Sequence, residues 1–309
     1  MTRTSNDPDA ISWRALRVEV QEQLVDAVGD AAAVEARWIV LEASGLSDAE
    51  ILAADQEPVP ALARHRVEAM IARRVAGEPL QYVLGSWSFR GLDLMVDRRV
   101  LIPRPETEVV AQAAIDELVR RGARLGRADP WGAGVTEFAV ADLGTGSGAI
   151  ALALAAELPD AAVWATDVSE DAVAVARANL ASIGSAATRV RIVTGHWFAA
   201  LPLELRGELR LVVSNPPYIA AAEHPTLPPE VAAHEPYGAL VSGETGLEHL
   251  EHLIAEAPGW LEPGGALVLE LAPHQAEAAS ATARAAGYVE VEVRDDLTGR
   301  PRALVARRR

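Results

Sequence analysis

The 309-residue chain contains neither cysteine nor lysine. The missing cysteines exclude disulfides and thiolate metal sites, which fits a reducing compartment. All 28 basic side chains are arginines, set against 44 acidic ones, for a formal net charge of −16 and a pI near 4.9. Such a chain has no general basic footprint with which to neutralise phosphates, so nucleic acid is not the first partner to expect. The bias toward arginine and alanine reads as the coding habit of a GC-rich genome. No apolar run approaches the roughly 18 uninterrupted residues of a membrane span. The opening stretch MTRTSNDPDAISWR is polar and acidic where a signal peptide is basic and then apolar, so a cytoplasmic location is expected. What remains is an ordinary globular balance, 50% hydrophobic and 23% charged, long enough for a large domain and a smaller one.

The chain changes character between residues 86 and 100. Before that point apolar residues recur at helical spacing: Ala15, Val18 and Leu24, then Val34, Trp38 and Leu41, then Val67, Met70, Ile71 and Val75. Ser47 with Glu50 makes a capping-box start, and Pro58 and Pro60 interrupt the pattern. WSFRGLDLMVDRRVLIP alternates like a hairpin around Arg90-Gly91, and a helix follows from Glu106 to Arg121. The glycine-rich stretch from Gly122 to Gly134 reads as a surface loop. From Phe138 strand, loop and helix repeat. Strands are expected to end at Asp142, Asp167, Thr194 and Ser214, with later ones at Ala266–Leu271, Tyr288–Val293 and Ala303–Ala306. Helices are expected at Ile150–Glu157 and Asp171–Leu180. This alternation predicts an α/β fold, a parallel, doubly wound sheet that binds ligands at its strand C-termini.

FAVADLGTGSGAIALALA carries a buried strand into a turn and then a helix. Gly144, Gly146 and Gly148 allow a tight turn and close approach of a ligand, and the helix start behind them offers free amides. About 20 residues on, Asp167 closes a second strand, where its carboxylate can accept from both hydroxyls of an adenosine ribose. Read as G-x-G-x-x-A, the loop also satisfies a dinucleotide fingerprint, so adenosylmethionine and a nicotinamide cofactor both stand at this point. Asp142 ahead of the first glycine and the tight G-x-G-x-G favour the former, and no hydride-handling site is visible.

The strand LRLVVSNPPY delivers Asn215-Pro216-Pro217-Tyr218 to the same sheet edge. Consecutive prolines remove two backbone donors and stiffen the loop. The side-chain carbonyl of Asn215 and the backbone carbonyl of Pro216 can accept both hydrogens of a planar NH2 group, and Tyr218 offers a face for stacking. Two acceptors concentrate charge on a delocalised nitrogen and aim its lone pair, a gain of orientation and preorganised electrostatics. No general base is needed before transfer, because the proton becomes acidic only afterwards.

With GEPLQYVLG (77–85), VLIPRPETE (100–108), DLGTGSGAIALALA (142–155), VSNPPYI (213–219), HEPYGAL (234–240) and PGGALVLE (263–270), the chain resembles the peptide chain release factor glutamine methyltransferases (PrmC/HemK). The likeness covers nearly everything from residue 77. It implies a small N-terminal α-helical substrate-recognition domain (1–86), a β-hairpin linker (87–100) and a Rossmann-like seven-stranded class I methyltransferase domain (101–309). The implied cofactor is S-adenosyl-L-methionine and the implied substrate the glutamine of the GGQ tripeptide in class 1 release factors, with no metal and a monomer when free. By position, Gly144, Thr145, Gly146, Ser147 and Gly148 would line the methionine part of the cofactor, Asp167 its ribose and Trp197 its adenine. Asn215 would face cofactor and substrate, and Asn215, Pro216, Pro217 and Tyr218 would hold the glutamine amide. Arg104, Glu106 and Thr107 are expected at the same pocket.

Two departures from the family pattern concern adenine and substrate contacts: His196 stands where an acidic residue is common, and Ala232 where arginine is frequent. The nearest rival function is an adenine-amino methyltransferase acting on DNA or RNA, since the same NPPY seats a flipped base. A nicotinamide-dependent dehydrogenase and a non-catalytic binding protein stand further off. His249 and His252 read as an exposed polar helix face rather than metal ligands. His224 and His234 read as ordinary loop residues, APHQAEAASATARAAG as a surface helix, and the terminal arginines as a frayed tail.

Overall fold

The computed structural model describes residues 11–126 and 138–309, so the glycine-rich stretch expected as a loop lies outside the described residues from position 127 to its end. The chain divides into two compact units, one of residues 1–85 with 229–234, the other of 86–228 with 235–309.

The first unit is helical. α1 (Trp13–Val28) starts at Ser12, whose hydroxyl accepts from the Ala15 amide, and α2 (Ala32–Ser44) ends at Gly45 in the left-handed region. α3 (Asp48–Ala53) opens on the expected reciprocal box of Ser47 and Glu50. α4 (Ala61–Val75) and α5 (Leu80–Leu84) each follow a proline. The buried stripes on α1 and α2 differ from those read off the sequence, whereas α4 buries Val67, Met70 and Ile71 as expected. Trp13, Leu16, Val20 and Leu24 face inward on α1, and Ala36, Ile39, Val40 and Ala43 on α2, while Val18, Val34, Trp38 and Val75 are exposed. Alanine at many positions leaves these helices with two apolar faces, so side-chain size does not decide which is buried: α2 buries Ala36 and Ala43 and leaves Val34 and Trp38 exposed. Within this core Arg74 donates to both oxygens of buried Glu35, at 2.7 and 3.1 Å.

The second unit begins with β1 (Ser86–Phe89) and β2 (Leu92–Met95), paired antiparallel. Arg90 and Gly91 both take positive φ, the geometry a two-residue hairpin turn demands. Arg90 is held there by Glu157, which accepts from its Nε at 2.6 Å. Phe89 and Leu94 belong to this unit's core. α6 (Pro105–Arg120) follows, with proline at its first position.

β3 (Phe138–Leu143), α7 (Ala149–Glu157), β4 (Ala161–Asp167), α8 (Glu170–Asn179), β5 (Val190–Thr194) and β6 (Leu209–Ser214) then alternate. β7 (Ile219–Ala220) and β8 (Val241–Gly243) form a short ribbon, with α9 (Pro229–His234) and α10 (Tyr237–Leu240) between them in sequence. α11 (Glu248–Glu256), β9 (Leu261–Glu270), α12 (Ala276–Ala285), β10 (Glu290–Asp295) and β11 (Pro301–Arg307) complete the chain. Among the described residues the main sheet has seven strands in the order β10-β11-β9-β6-β3-β4-β5. Six of the seven run in one direction, five of them in parallel pairs as expected, but β11 runs antiparallel to both neighbours, β9 and β10. The five residues between β10 and β11 are too few for a crossover, so these strands must form a hairpin; Asp296 stitches its turn through Thr298 and Arg300.

Alternation along the strands sends side chains to two cores. Val140, Val163 and Val213 pack with α6 and α7, whereas Ala141, Leu143 and Val212 pack with Leu250, Leu253 and Ala283 of α11 and α12. The fold is therefore α/β and Rossmann-like, with the seven strands expected. The chain end is no frayed tail: Arg307 clasps buried Glu117 at 2.6 Å, and the Arg308 amide donates to Gly265 at 2.8 Å. β3 has β6 on one side and β4 on the other, which places the topological switch at the carboxyl ends of these three strands.

Candidate functional site

At that switch lies a cavity of about 370 Å³ whose lining comes from the second unit. It draws residues from the loop after β3, the end of β4, the turn after β5, the NPPY segment and the start of α6.

The loop after β3 turns on three left-handed glycines. At Gly144 a Cβ would stand 3.0 Å from the Trp197 ring, while at Gly146 it would meet only open space. Asp142 organises the loop from beneath. Its Oδ2 accepts from Thr145 Oγ1 at 2.6 Å and from the Ala151 amide at 3.1 Å, whereas Oδ1 is buried with no partner among the described residues. Burial pushes the Asp142 carboxyl up to about 7, against the pull of those two donors. The first turn of α7 thus spends one free amide on Asp142.

Asp167 fastens the loop to β4. Oδ2 accepts from the Gly146 amide and Oδ1 from Ser169, both at 2.9 Å. Each carboxylate oxygen has two lone pairs, so capacity remains for further donors on the cavity side. Burial raises this carboxyl's pKa, and the backbone amides of Ser169, Gly146 and Val168 oppose the rise.

Trp197 takes φ +44, a costly conformation for a large side chain, and its ring is buried against Gly144. Its indole Nε1 is buried without a partner among the described residues. His196 and His249 flank it edge-on, with ring centroids 5.7 and 5.2 Å away, and both border the cavity. His249 therefore departs from the exposed helix face expected of it, and burial lowers its pKa. His252 keeps to that face and pairs with Glu256 at 3.2 Å. No group of three or more His, Asp or Glu among the described residues is arranged to hold a metal ion.

Asn215 and Pro217 line the cavity; Pro216 and Tyr218 do not. Asn215 Nδ2 donates to Thr107 Oγ1 at 3.2 Å. Tyr218 points its hydroxyl at Glu270 Oε1, 3.3 Å away, and its backbone carbonyl accepts from Gln275 at 2.8 Å. Thr107, Pro103 and Val100 reach the cavity from the IPRPETE region, while Arg104 turns aside to pair with buried Glu235. Glu235 leads into Pro236, Gly238 and Ala239, which complete the wall. Gly144, Thr145, Gly146, Ser147, Asp167, Trp197 and Asn215 thus meet in one place, with Gly148 set back as the N-cap of α7. Ala232, His224 and His234 stand outside the lining.

Sequence reasoning missed His249, Glu270 and Gln275. Only the family-like segments PGGALVLE and HEPYGAL hinted that the chain beyond residue 230 mattered here.

A family model described as the PrmC N-terminal domain matches residues 15–85, and one described as the methyltransferase small domain matches 134–229. A release factor glutamine methyltransferase of Deinococcus radiodurans is 42% identical over 89% of this chain and 91% of its own. One of Bordetella pertussis is 43% identical over 86% and 91%. Among solved structures, the hMettl16 catalytic domain in complex with MAT2A 3′UTR hairpin 6 matches with a TM-score of 0.52 at 15% identity, covering 79% of this chain and 81% of that one. At that identity the likeness is one of fold.

Proposed function

The chain belongs to the release factor glutamine methyltransferase family, and from that premise we propose that it methylates the side-chain amide nitrogen of the GGQ glutamine in class 1 peptide chain release factors. The observation that carries the reading is the meeting of Asn215 with the loop 144–147 and Asp167 around one cavity.

The residues present suit S-adenosyl-L-methionine. Unpartnered Asp142 Oδ1 and the spare capacity of Asp167 are acceptors for a polar, hydroxyl-bearing ligand, and the open space at Gly146 admits it closely. Gly144, Thr145, Gly146, Ser147 and Gly148 are assigned its methionine end, Asp167 the ribose, and Trp197 with its flanking histidines the adenine. Bound there, the cofactor supplies an electrophilic methyl group on a positively charged sulfur.

The protein's part is to make a poor nucleophile attack. Asn215 Oδ1 and the Pro216 carbonyl accept the two amide hydrogens, and Pro217 and Tyr218 confine the planar group. When nitrogen takes the methyl group and the methyl's bond to sulfur breaks, those acceptors would stabilise the positive charge growing on nitrogen, which afterwards sheds one proton to solvent. The first unit is assigned recognition of the release factor, a monomer is expected, and the work belongs in the cytoplasm, where release factors act. Among the described residues no helix is long and apolar enough to cross a membrane.

The reading is tested by incubating the chain with a release factor and cofactor and sequencing the GGQ peptide by mass spectrometry. One added methyl on the glutamine is expected, together with thermal stabilisation of the enzyme by S-adenosylmethionine and not by NAD. An unmodified glutamine under a stabilising cofactor would overturn the substrate.

A further inference from the structure

Two histidines reach the cavity beside the buried ring of Trp197, each from a different element. His196 precedes the tryptophan in the turn after β5, and His249 comes from the first turn of α11. Their ring centroids lie 5.7 and 5.2 Å from the indole, both edge-on. The two are not equivalent. His196 is exposed, whereas His249 is half-buried and its backbone amide donates to Ser242 Oγ at 2.9 Å. Among the described residues nothing is hydrogen-bonded to the His249 ring.

A base lying against Trp197 brings an edge with its own demands. Adenine carries an exocyclic amine that donates and ring nitrogens that accept. Enclosed without an acceptor, that amine gives up water and gains nothing in return. The indole can only donate, whereas a neutral imidazole beside it has one bare, accepting nitrogen. We propose that His249 is the residue that recognises the cofactor's adenine by its edge: its bare ring nitrogen accepts a hydrogen from the exocyclic amine while Trp197 packs against the base. The proposal rests on the reading that the cavity holds S-adenosyl-L-methionine with its adenine at Trp197.

The setting favours His249 over His196. Leu250, Leu253 and Ile254 bury the inner face of α11 in the core, so the His249 ring is presented from a rigid frame, while His196 stands in a turn. On its other side His196 meets the ring of His252, 6.0 Å away, which pairs at the surface with Glu256. The charge state also suits an acceptor. Burial lowers the pKa of His249, and His196 and His252 act in the same direction against the pull of Glu248. The ring is therefore neutral at pH 7 and keeps one bare nitrogen. Because no partner fixes its tautomer, either nitrogen can be the bare one.

The probes are S-adenosylhomocysteine and its purine analogue, in which hydrogen replaces the exocyclic amine, with calorimetry on the full chain as the readout. The wild type should bind the analogue about tenfold or more weakly than the adenine compound. His249→Phe keeps a ring against Trp197 and removes the acceptor, so it should bind the two compounds within about threefold of each other. His249→Gln, whose side-chain carbonyl can accept, should recover part of the preference, and His196→Phe should retain it. A spectroscopic signature accompanies the affinities. The chain has seven histidines, and ¹⁵N labelling of histidine displays their ring nitrogens. The bare-nitrogen signal of His249, identified by its loss in His249→Gln, should shift on adding S-adenosylhomocysteine and much less on adding the analogue. Equal affinity of the wild type for both compounds would overturn the proposal. So would a His249→Phe variant that keeps the tenfold preference, or a His196→Phe variant that loses it. A wild type that binds neither compound would defeat the functional reading, and the proposal with it.

Discussion

Asn215 is the residue on which chemistry and geometry converge. Replacing it with alanine removes one of two acceptors for the substrate amide and leaves the cofactor loop and Asp167 intact. Asn215→Ala should lower kcat about a hundredfold or more while S-adenosylmethionine affinity, read by calorimetry, changes by less than about threefold. Equal loss of both would make Asn215 a cofactor ligand first. Gly144 is expected to behave in the opposite way. A methyl group there meets the Trp197 ring at 3.0 Å on a backbone with φ +73, so Gly144→Ala should weaken cofactor binding about tenfold or more. At this scale the sequence was most informative where function demands particular residue types close together, as in the glycine loop and NPPY. Thr107 was expected at the pocket through the family resemblance and lies there, but its contact with Asn215 was not legible, because the two are 108 positions apart and only the fold brings them together; on Glu270 the sequence was silent.

Elements were legible where periodicity was unambiguous. Strands end at Asp167, Thr194 and Ser214 as expected, and the one expected to end at Asp142 runs one residue further to Leu143, because buried parallel strands are short apolar runs closed by polar turns. Helix faces on α1 and α2 were not, since alanine is too small to mark which side is buried, although α4 buries Val67, Met70 and Ile71 as expected. The antiparallel β11 escaped notice because a strand's direction is set by the length of its connection, not by its composition. Arg189 is a different kind of element-level feature. Its buried guanidinium donates to the carbonyls of Ala155, Leu158 and Ala161, finishing α7 and fixing the entry to β4. Arg189→Met fills similar volume and leaves those carbonyls without their donor. It should cost about 2–4 kcal/mol in denaturant unfolding, without changing the m-value.

For the whole molecule, the buried carboxyls set the pH at which the fold is most stable. Asp142 and Glu270 are each pushed up to about 7, chiefly by burial. Between their ordinary range and pH 7 the folded state holds protons that the unfolded state releases. Their contribution to stability therefore falls as pH rises through that window. Glu248, bonded by the Thr245 amide, and Asp296, bonded by Thr298, are drawn down to about 2, so they contribute stability that is lost as pH falls toward 2. A net charge of −16 adds repulsion on the alkaline side. Tm should accordingly peak at about pH 4 and decline as pH rises to about 7. Asp142→Asn should flatten that decline, and a Tm that climbs steadily to pH 8 would contradict the assignment of these buried carboxyls.

The central claim is the identity of the atom that receives the methyl group. Methyl-labelled S-adenosylmethionine, offered with a release factor, with its GGQ→GGA variant and with separate DNA and RNA samples, tests it most directly. Label on the intact factor alone is the predicted result. Label on the GGA variant would move the acceptor elsewhere in the protein, and label on adenine in nucleic acid would contradict the account outright.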